Sequence, residues 1–235
     1  MKDIRLVVFD LDGTLIDSSA DLANAINALL ADLGVAPLPD PQIVSMVGEG
    51  AAVLVRRALA ASGLDPQTPG ALDRFLDHYN AHLLDCTRPY QGMTETLQDL
   101  SVRMPLAVLT NKPAGASARI LEGLRLRRYF REVIGGDTSF GRKPSPAGLI
   151  HLAQMEQVDP ASVLLVGDSA IDLATARNCG TRVCLARYGF GFRFAPADFR
   201  GDEWFIDQPR DLIGVIGSSG SRIADRGPRT ADPGS

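Results

Sequence analysis

The chain has few lysines, few cysteines and no long apolar run, and each shortage excludes a class of protein. Its 235 residues carry a formal net charge of -4, which argues against a nucleic-acid-binding protein that works by neutralising phosphates. Three cysteines without metal-type spacing favour a reducing cytoplasm over a disulfide framework. No apolar run is long enough for a membrane span or a signal-peptide core, so we expect no association with a membrane.

Lysine is rare while arginine is common. Only Lys2, Lys112 and Lys143 are lysines among the 24 basic residues. A lysine ammonium is a compact point charge that can neutralise an anion without requiring the geometry of a guanidinium fork. Lys112 and Lys143 both lie in polar loops between apolar segments, which makes them candidates for an anion-binding site. The alternative for Lys143 is a solvated residue at the start of a helix.

Short apolar runs alternate with helical periodicity, a pattern typical of an α/β fold with a mostly parallel sheet. The predicted strands are residues 5–9, 106–109, 132–134, 162–166 and 182–186, with a late strand or edge at 204–206. Their Val, Leu and Ile content without clean alternation is expected of strands covered on both faces. Ligands of such sheets bind beyond the carboxyl ends of the strands, so the residues after each run are candidate site residues.

Two carboxylates follow the first apolar run. Asp10 and Asp12 stand one residue apart, and Gly13 allows a sharp turn after them. Adjacent anions repel each other unless a shared proton or a cation reduces the repulsion. The usual cation is a hard divalent metal such as Mg²⁺. One carboxylate can then attack an electrophile while the other transfers protons. The pair therefore predicts a metal-assisted reaction centre.

Three further polar segments occupy comparable places. Thr110 and Asn111 follow the second strand, where a hydroxyl and backbone N–H groups can hold phosphate oxygens. Lys143 precedes a predicted helix over residues 147–157. Asp168 and Asp172 follow another buried strand and can face one space as further oxygen ligands of a metal. Each segment alone is compatible with an ordinary turn, but together they favour one site.

Residues 17–88 show helical periodicity and no strand pattern. Proline clusters at 37–41 and 66–69 separate three amphipathic helical faces. We predict a small helical cap inserted into a Rossmann-like catalytic core of residues 1–16 and 89–216, with its ends meeting near Ile16 and Pro89. A cap at this point would lie over the carboxylates, where it can exclude water and select substrates. Residues 217–235 are expected to be a disordered tail.

The order and spacing of the polar segments resemble all four motifs of the haloacid dehalogenase superfamily, whose first motif reads Asp-x-Asp-x-Thr/Val. The resemblance extends from the N-terminus to about residue 216. It implies that Asp10 attacks phosphorus to form an aspartyl-phosphate. It also implies that Asp12 protonates the leaving alcohol and then activates water.

The resemblance further implies a metal site and a phosphate site. The Mg²⁺ ligands would be Asp10, Asp168 and the backbone carbonyl of Asp12, with Asp172 as an outer, water-mediated partner. The residues that hold the phosphoryl oxygens would be Thr110, Asn111 and Lys143.

Within the superfamily the chain is similar to the phosphoglycolate phosphatases. The similar segments are Asp-Leu-Asp-Gly-Thr-Leu-Ile-Asp-Ser (10–18), Val-Gly-Glu-Gly (47–50), 54–59, Thr-Asn-Lys-Pro (110–113) and Gly-Asp-Ser (167–169). One departure is Ile171, which stands where the family usually has Asn. The resemblance implies that the substrate is a small phosphorylated metabolite, 2-phosphoglycolate, which would be hydrolysed to glycolate and phosphate.

Cap residues of this family set its specificity. By the same resemblance, Gly48, Glu49 and Gly50 form a loop that drops toward the substrate, although these residues also fit a simple interhelical turn. The substrate carboxylate needs a cation, for which the candidates are Arg56, Arg57 and Lys112. Arg57 shares a helical face with apolar residues, which leaves an inward orientation open, but an arginine in such a place more often snorkels to solvent.

Several alternatives remain open from sequence. The subgroup shades into phosphatases of sugar phosphates and of pyrophosphate. A sugar phosphomutase would share every core residue, but Thr14, where such mutases often carry Val, favours hydrolysis. A non-catalytic phosphate-binding module would be expected to have lost a carboxylate, and a dehalogenase would not need the metal ligands. Monomer and homodimer are both compatible with the sequence.

Overall fold

A parallel sheet of six strands lies at the centre of the computed structural model, which describes residues 3–217. The strand order is β5-β4-β1-β6-β7-β8, and every neighbouring pair is parallel. The strands are β1 (Leu6–Phe9), β4 (Leu106–Leu109), β5 (Glu132–Ile134), β6 (Val163–Gly167), β7 (Arg182–Ala186) and β8 (Trp204–Ile206). The predicted α/β, Rossmann-like sheet is therefore confirmed, and the predicted bounds of β1 and β6 differ by one residue.

Nine α-helices lie within residues 3–217. They are α1 (Ser19–Asp32), α2 (Asp40–Val44), α3 (Ala51–Ala61), α4 (Ala71–Ala81), α5 (Met93–Ser101), α6 (Ala114–Gly123), α7 (Ala147–Met155), α8 (Ala170–Cys179) and α9 (Asp211–Gly217). None of them combines the length and apolarity that a membrane-crossing helix requires. Of the predicted tail, Gly217 ends α9, and residues 218–235 lie outside the described part of the chain.

Helices cover both faces of the sheet. Because successive side chains of a strand point to opposite faces, each strand contributes to two hydrophobic clusters. Val7 and Phe9 of β1 pack on the side of α5, α6 and α9, whereas Leu6 and Val8 pack on the side of α7 and α8. All four residues are fully buried. This double coverage explains why the strands are apolar throughout instead of alternating with polar residues.

The chain between β1 and β4 leaves the sheet and returns beside its exit point. A short antiparallel ladder joins β2 (Ile16–Asp17) to β3 (Arg88–Pro89), with Ile16 opposite Pro89. The helices α1 to α4 lie between these strands, and we call residues 18–87 the helical insert. Its centre is the packing of α1 on α4, with Ile26, Leu29 and Phe75 at most 1% exposed.

A buried carboxylate joins the two ends of the helical insert. Asp21, in the first turn of α1, is 1% exposed. It accepts hydrogen bonds from the backbone N–H of Cys86 at 3.0 Å, from the backbone N–H of Thr87 at 2.8 Å and from the Thr87 hydroxyl at 2.7 Å. The start and the end of the insert are therefore joined by hydrogen bonds to one charged group, which are stronger than bonds between neutral groups.

We expect Asp21→Asn to lower the free energy of unfolding by about 2 kcal/mol, because the amide nitrogen would face N–H donors that lose their acceptor. Urea unfolding followed by circular dichroism measures this change. Asp99→Asn, at an exposed site near the end of α5, serves as the control and should change the stability by less than about 0.5 kcal/mol. Equal effects of the two substitutions would contradict the role given to Asp21.

Candidate active site

Three central strands deliver polar residues to one edge of the sheet. Because β1 pairs with β4 on one side and with β6 on the other, the residues that follow these strands are neighbours in space. Those residues are Asp10, Thr110 and Asp168. The backbone of Asp10 continues the ladder, since its N–H donates to the Val166 carbonyl at 2.9 Å. The structure therefore brings together three of the candidates that follow predicted strands.

Three buried carboxylates meet at this edge. Asp10, Asp168 and Asp172 each place an oxygen within 4.8 Å of the others. Burial raises the pKa of Asp10 from its ordinary value to about 6; Lys143 opposes this rise, and the negative charge of Asp172 adds to it. Burial also raises the pKa of Asp168 well above its ordinary value, and the charges of Asp172 and Asp10 raise it further. The cluster thus holds more negative charge than its protein surroundings neutralise.

Lys143 is the cation at the centre of this cluster. Its Nζ lies 2.7 Å from Oδ1 of Asp10 and 2.6 Å from Oδ1 of Asp172, and its side chain is 3% exposed. Burial alone would lower the pKa of Lys143, but the two carboxylates raise it above its ordinary value. Lys143 is therefore a protonated ammonium fixed between Asp10 and Asp172.

The side chain of Asn111 is already engaged by protein groups. Its amide nitrogen donates to the carbonyls of Lys143 at 3.1 Å and Gly48 at 3.2 Å, and its oxygen accepts from the Lys143 N–H at 2.7 Å. Both N–H groups of the amide are used, so we revise the predicted phosphate contact of this side chain. Asn111 instead fixes the backbone of Lys143 and joins it to the helical insert.

Asp12 belongs to a second ion pair beside the first. The Lys112 ammonium donates to both oxygens of Asp12, at 3.0 and 2.8 Å. The Ser18 hydroxyl donates to Oδ1 of the same carboxylate at 2.5 Å. Lys112 is 6% exposed, and the carboxylate raises its pKa above the ordinary value although burial acts in the opposite direction. Each scarce lysine of the site is thus paired with one carboxylate of the Asp10–Asp12 motif.

The surroundings of Asp168 and Asp172 decide how each can act toward a metal. Asp172 accepts from Lys143 on one oxygen and from the Ser169 hydroxyl at 2.6 Å on the other, so its oxygens are occupied. Asp168 accepts from the Gly191 N–H at 2.7 Å and from the Thr14 hydroxyl at 3.4 Å. Buried oxygen donors with excess negative charge suit a hard divalent ion. The three carboxylates Asp10, Asp168 and Asp172 therefore form a donor set that fits such an ion.

A loop that the sequence analysis did not single out completes the surroundings of Asp168. It follows β7 and contains Gly189, Phe190 and Gly191. A Cβ at Gly189 would lie 2.3 Å from the Cβ of Asp168, so only glycine fits there. The sequence could have indicated this loop as part of the site, because it follows a buried parallel strand at the same edge of the sheet as the four predicted segments.

A cavity lies between this edge of the sheet and the helical insert. Its lining includes Asp10, Asp12 and Lys112 from the edge of the sheet. Apolar residues of the insert form much of the facing wall: Leu22, Val47, Ala51, Leu54, Phe75 and Leu76. Gly48 and Gly50 also line the cavity, and a Cβ at Gly50 would lie 3.2 Å from the Asn111 carbonyl oxygen. Gly50 therefore allows the insert to approach the sheet closely.

The other candidates of the insert lie away from this cavity. Glu49 and Arg57 form an ion pair with each other, and their side chains are 45% and 43% exposed. Arg57 also donates to the Met46 carbonyl at 3.1 Å. Arg56 is exposed as well. Of the two orientations left open for Arg57, the structure has the outward one, at the surface where its charge remains hydrated.

The family follows from a comparison of sequence. The model of a family described as haloacid dehalogenase-like hydrolase matches residues 7–186. The chain belongs to the haloacid dehalogenase-like hydrolases. Membership of this family, predicted from the four motifs, is thereby confirmed.

Two curated relatives of this hydrolase are named phosphoglycolate phosphatases. Phosphoglycolate phosphatase 1 of Pseudomonas aeruginosa is 40% identical over 216 residues, which cover 89% of this chain and 78% of that protein. A phosphoglycolate phosphatase of Rhodospirillum rubrum is 43% identical over 79% of this chain and 80% of its own length. A solved structure described as a predicted phosphoglycolate phosphatase of Haemophilus somnus superposes with a TM-score of 0.84 at 30% identity, covering 92% of this chain and 99% of that one.

We expect Gly13→Ala to abolish the binding of a divalent metal, because the new Cβ would lie 2.0 Å from Oδ2 of Asp168 and displace that carboxylate. The measurement is the rise in melting temperature that Mg²⁺ causes by binding the folded protein. Wild type should show the rise and the variant should not.

A second glycine provides the control for this substitution. Gly201 has a φ of +85°, close to the +83° of Gly13, but a Cβ there would meet no atom beyond its chain neighbours within 4 Å. Gly201→Ala should therefore suffer the same backbone strain and keep the Mg²⁺ response. A full response in the Gly13 variant would contradict the placement of Asp168 in the metal site.

Proposed function

We propose that this hydrolase is a phosphoglycolate phosphatase that converts 2-phosphoglycolate and water to glycolate and phosphate. The observation that carries the proposal is the buried Asp10, fixed by Lys143 in a cavity that also holds Asp12 and Asp168. This arrangement offers a nucleophile, a proton carrier and positive charge around one reacting phosphorus. The names of the curated relatives support the choice of substrate.

In the first step a carboxylate oxygen of Asp10 attacks phosphorus. A bond forms between this oxygen and phosphorus, and the bond between phosphorus and the leaving oxygen breaks. The electron pair stays on the leaving oxygen, which takes a proton from Asp12. The products of this step are glycolate and an aspartyl-phosphate on Asp10.

In the second step a water molecule attacks the aspartyl-phosphate. Asp12, now a carboxylate, accepts the proton of that water as the new oxygen–phosphorus bond forms. The bond from phosphorus to Asp10 breaks, and inorganic phosphate leaves. Asp12 is therefore an acid in the first step and a base in the second.

Two kinds of positive charge act on the phosphoryl group. The side chains of Asp10 and Asp168 and the backbone carbonyl of Asp12 would hold Mg²⁺, with Asp172 as an outer partner. Bound Mg²⁺ neutralises charge that develops on the phosphoryl oxygens. Lys143 and the Thr110 hydroxyl would contact the remaining oxygens, while Asn111 keeps Lys143 in place.

The helical insert, with one flanking residue at each end, would form a cap of residues 17–88, and residues 1–16 and 89–216 would form the core. It provides one wall of the cavity, and the short β2–β3 ladder gives it a narrow connection to the sheet. A cap in this place excludes water from the aspartyl-phosphate until the leaving group has departed. Gly48 and Gly50 would be its contacts with the substrate.

Of the three cations predicted for the substrate carboxylate, Lys112 is the one within the cavity, although its ammonium is already bonded to Asp12. It lines the cavity, whereas Arg56 and Arg57 are exposed and outside its lining. Glu49 pairs with Arg57 at the same surface.

The three free cysteines, Cys86, Cys179 and Cys184, fit a reducing cytoplasm as the place where the enzyme acts.

A second candidate function is the hydrolysis of a larger organic phosphate, such as a sugar phosphate. The apolar wall that the insert presents to the cavity favours this function. The molecule 2-phosphoglycolate is small and carries a charged group at each end, so it would leave the apolar wall without a contact, whereas a larger substrate could reach it. The two functions share every step at Asp10 and Asp12.

We expect phosphate release in the presence of Mg²⁺ to be fastest with 2-phosphoglycolate, in a panel that also contains pyrophosphate, sugar phosphates and an aryl phosphate. Asp10→Asn should lower kcat on all of them by at least about 10³-fold, because an amide cannot serve as this nucleophile. Activity without a preference for 2-phosphoglycolate would exclude the substrate and keep the chemistry. Full activity of Asp10→Asn would exclude the chemistry.

A further inference from the structure

Lys112 is a buried cation that takes no direct part in either the formation or the hydrolysis of the aspartyl-phosphate. Its side chain is 4% exposed, and its ammonium donates to both oxygens of Asp12. Burying an ammonium is costly unless its hydrogen bonds and charge are matched by partners. The carboxylate of Asp12 is the charged partner, and the two bonds orient it from one side while Ser18 holds it from another.

The second partner of Lys112 is an aromatic ring of the helical insert. The ammonium lies 4.6 Å from the ring centroid of Tyr79, a residue of α4 that is 3% exposed. An ammonium over a ring face is attracted by the negative charge of the π system, most strongly when water is excluded. The ring is itself fixed, since it stacks on Phe75 with centroids 5.8 Å apart and planes 4° from parallel.

The hydroxyl of Tyr79 also interacts with Lys112: burial raises the pKa of this hydroxyl to about 12, and the charge of Lys112 opposes the rise. The hydroxyl is buried and has no hydrogen-bond partner among residues 3–217. A buried hydroxyl without a partner does not stabilise the fold, so removing it should cost little. Tyr79 therefore acts on Lys112 mainly through its ring, with the hydroxyl as a second, electrostatic contact.

We propose that Lys112 and Tyr79 are positioning residues for Asp12: the ring of Tyr79 holds the Lys112 ammonium, and the ammonium orients the Asp12 carboxylate toward the leaving oxygen. The inference rests on the proposed function, in which Asp12 gives a proton to that oxygen. It assigns Lys112 to the acid–base step and not to the carboxylate of the substrate. It also makes a side chain of the helical insert part of the proton-transfer machinery.

The leaving group provides a test that separates these roles. An alkoxide leaves poorly unless it receives a proton, whereas an acidic phenol leaves as its anion. A misplaced Asp12 should therefore slow an alkyl phosphate much more than an aryl phosphate. The ratio of kcat/KM for the two substrates within one variant is independent of the fraction of folded protein.

We expect Lys112→Met to lower the ratio for ethyl phosphate over p-nitrophenyl phosphate by at least about tenfold, a fraction of what general acid catalysis supplies. Lys112→Arg should restore part of it, because a guanidinium can still pair with Asp12. Tyr79→Leu should lower the ratio by about threefold or more through loss of the ring face. Tyr79→Phe, which keeps the ring and removes only the hydroxyl, should lower the ratio less than Tyr79→Leu does.

Each other outcome overturns a defined part of this scheme. If Lys112→Met slows 2-phosphoglycolate but neither ethyl phosphate nor the aryl ester, Lys112 binds the substrate carboxylate and the proposal is wrong. If Tyr79→Phe lowers the ratio as far as Tyr79→Leu, the hydroxyl acts and the role of the ring is wrong. Asp12→Asn is the benchmark: an unchanged ratio in that variant would exclude Asp12 as the proton donor, and with it the proposed function.

Discussion

The balance of charge at the carboxyl edge of the sheet is the constraint on which the site depends. Four aspartates, Asp10, Asp12, Asp168 and Asp172, lie within or beside one cavity, and two lysines are bonded to three of them. Burial of unpaired charges costs more free energy than a domain of this size can lose. The lysines hold three of the aspartates, while Asp168 is held by the Gly191 N–H and the Thr14 hydroxyl. The positions of the strands, the loops and the insert keep these groups together.

This balance of charge explains why the site uses lysine while arginine is the common basic residue elsewhere in the chain. Lys143 fits between two carboxylate oxygens that are 2.7 and 2.6 Å from its nitrogen. A single ammonium can serve two carboxylates in this way, whereas a guanidinium is planar and presents a rigid fork. The arginines are used elsewhere, as in the pairs of Arg57 with Glu49 and of Arg177 with Glu203.

The helical insert contacts the site at several places besides the β2–β3 ladder. Asp21 joins its two ends at the base, and Asn111 contacts its Gly48 carbonyl. The ring of Tyr79 covers Lys112. Contacts from the insert thus reach the residues that hold both ion pairs. This connection offers a physical route by which the composition of the insert can affect chemistry at the edge of the sheet.

The sequence by itself determined the class of fold and the set of polar residues that meet. Strands buried on both faces must be apolar throughout, so runs such as Leu106–Leu109 could be recognised without knowing their neighbours. The carboxyl ends of parallel strands share one edge, so Asp10, Thr110 and Asp168 could be grouped in advance. These inferences need only local composition and the general geometry of a parallel sheet.

Only the tertiary structure decided which partner each side chain has. Nothing local distinguishes Arg57 on an apolar helical face from an inward-pointing residue, and its outward orientation depends on how the insert packs. The pairing of Lys112 with Asp12 and Tyr79 joins three segments far apart in sequence. The closeness of Gly189 to Asp168 likewise depends on the path of a loop after β7. Such contacts arise from the packing of distant segments, which periodicity and motif spacing do not encode.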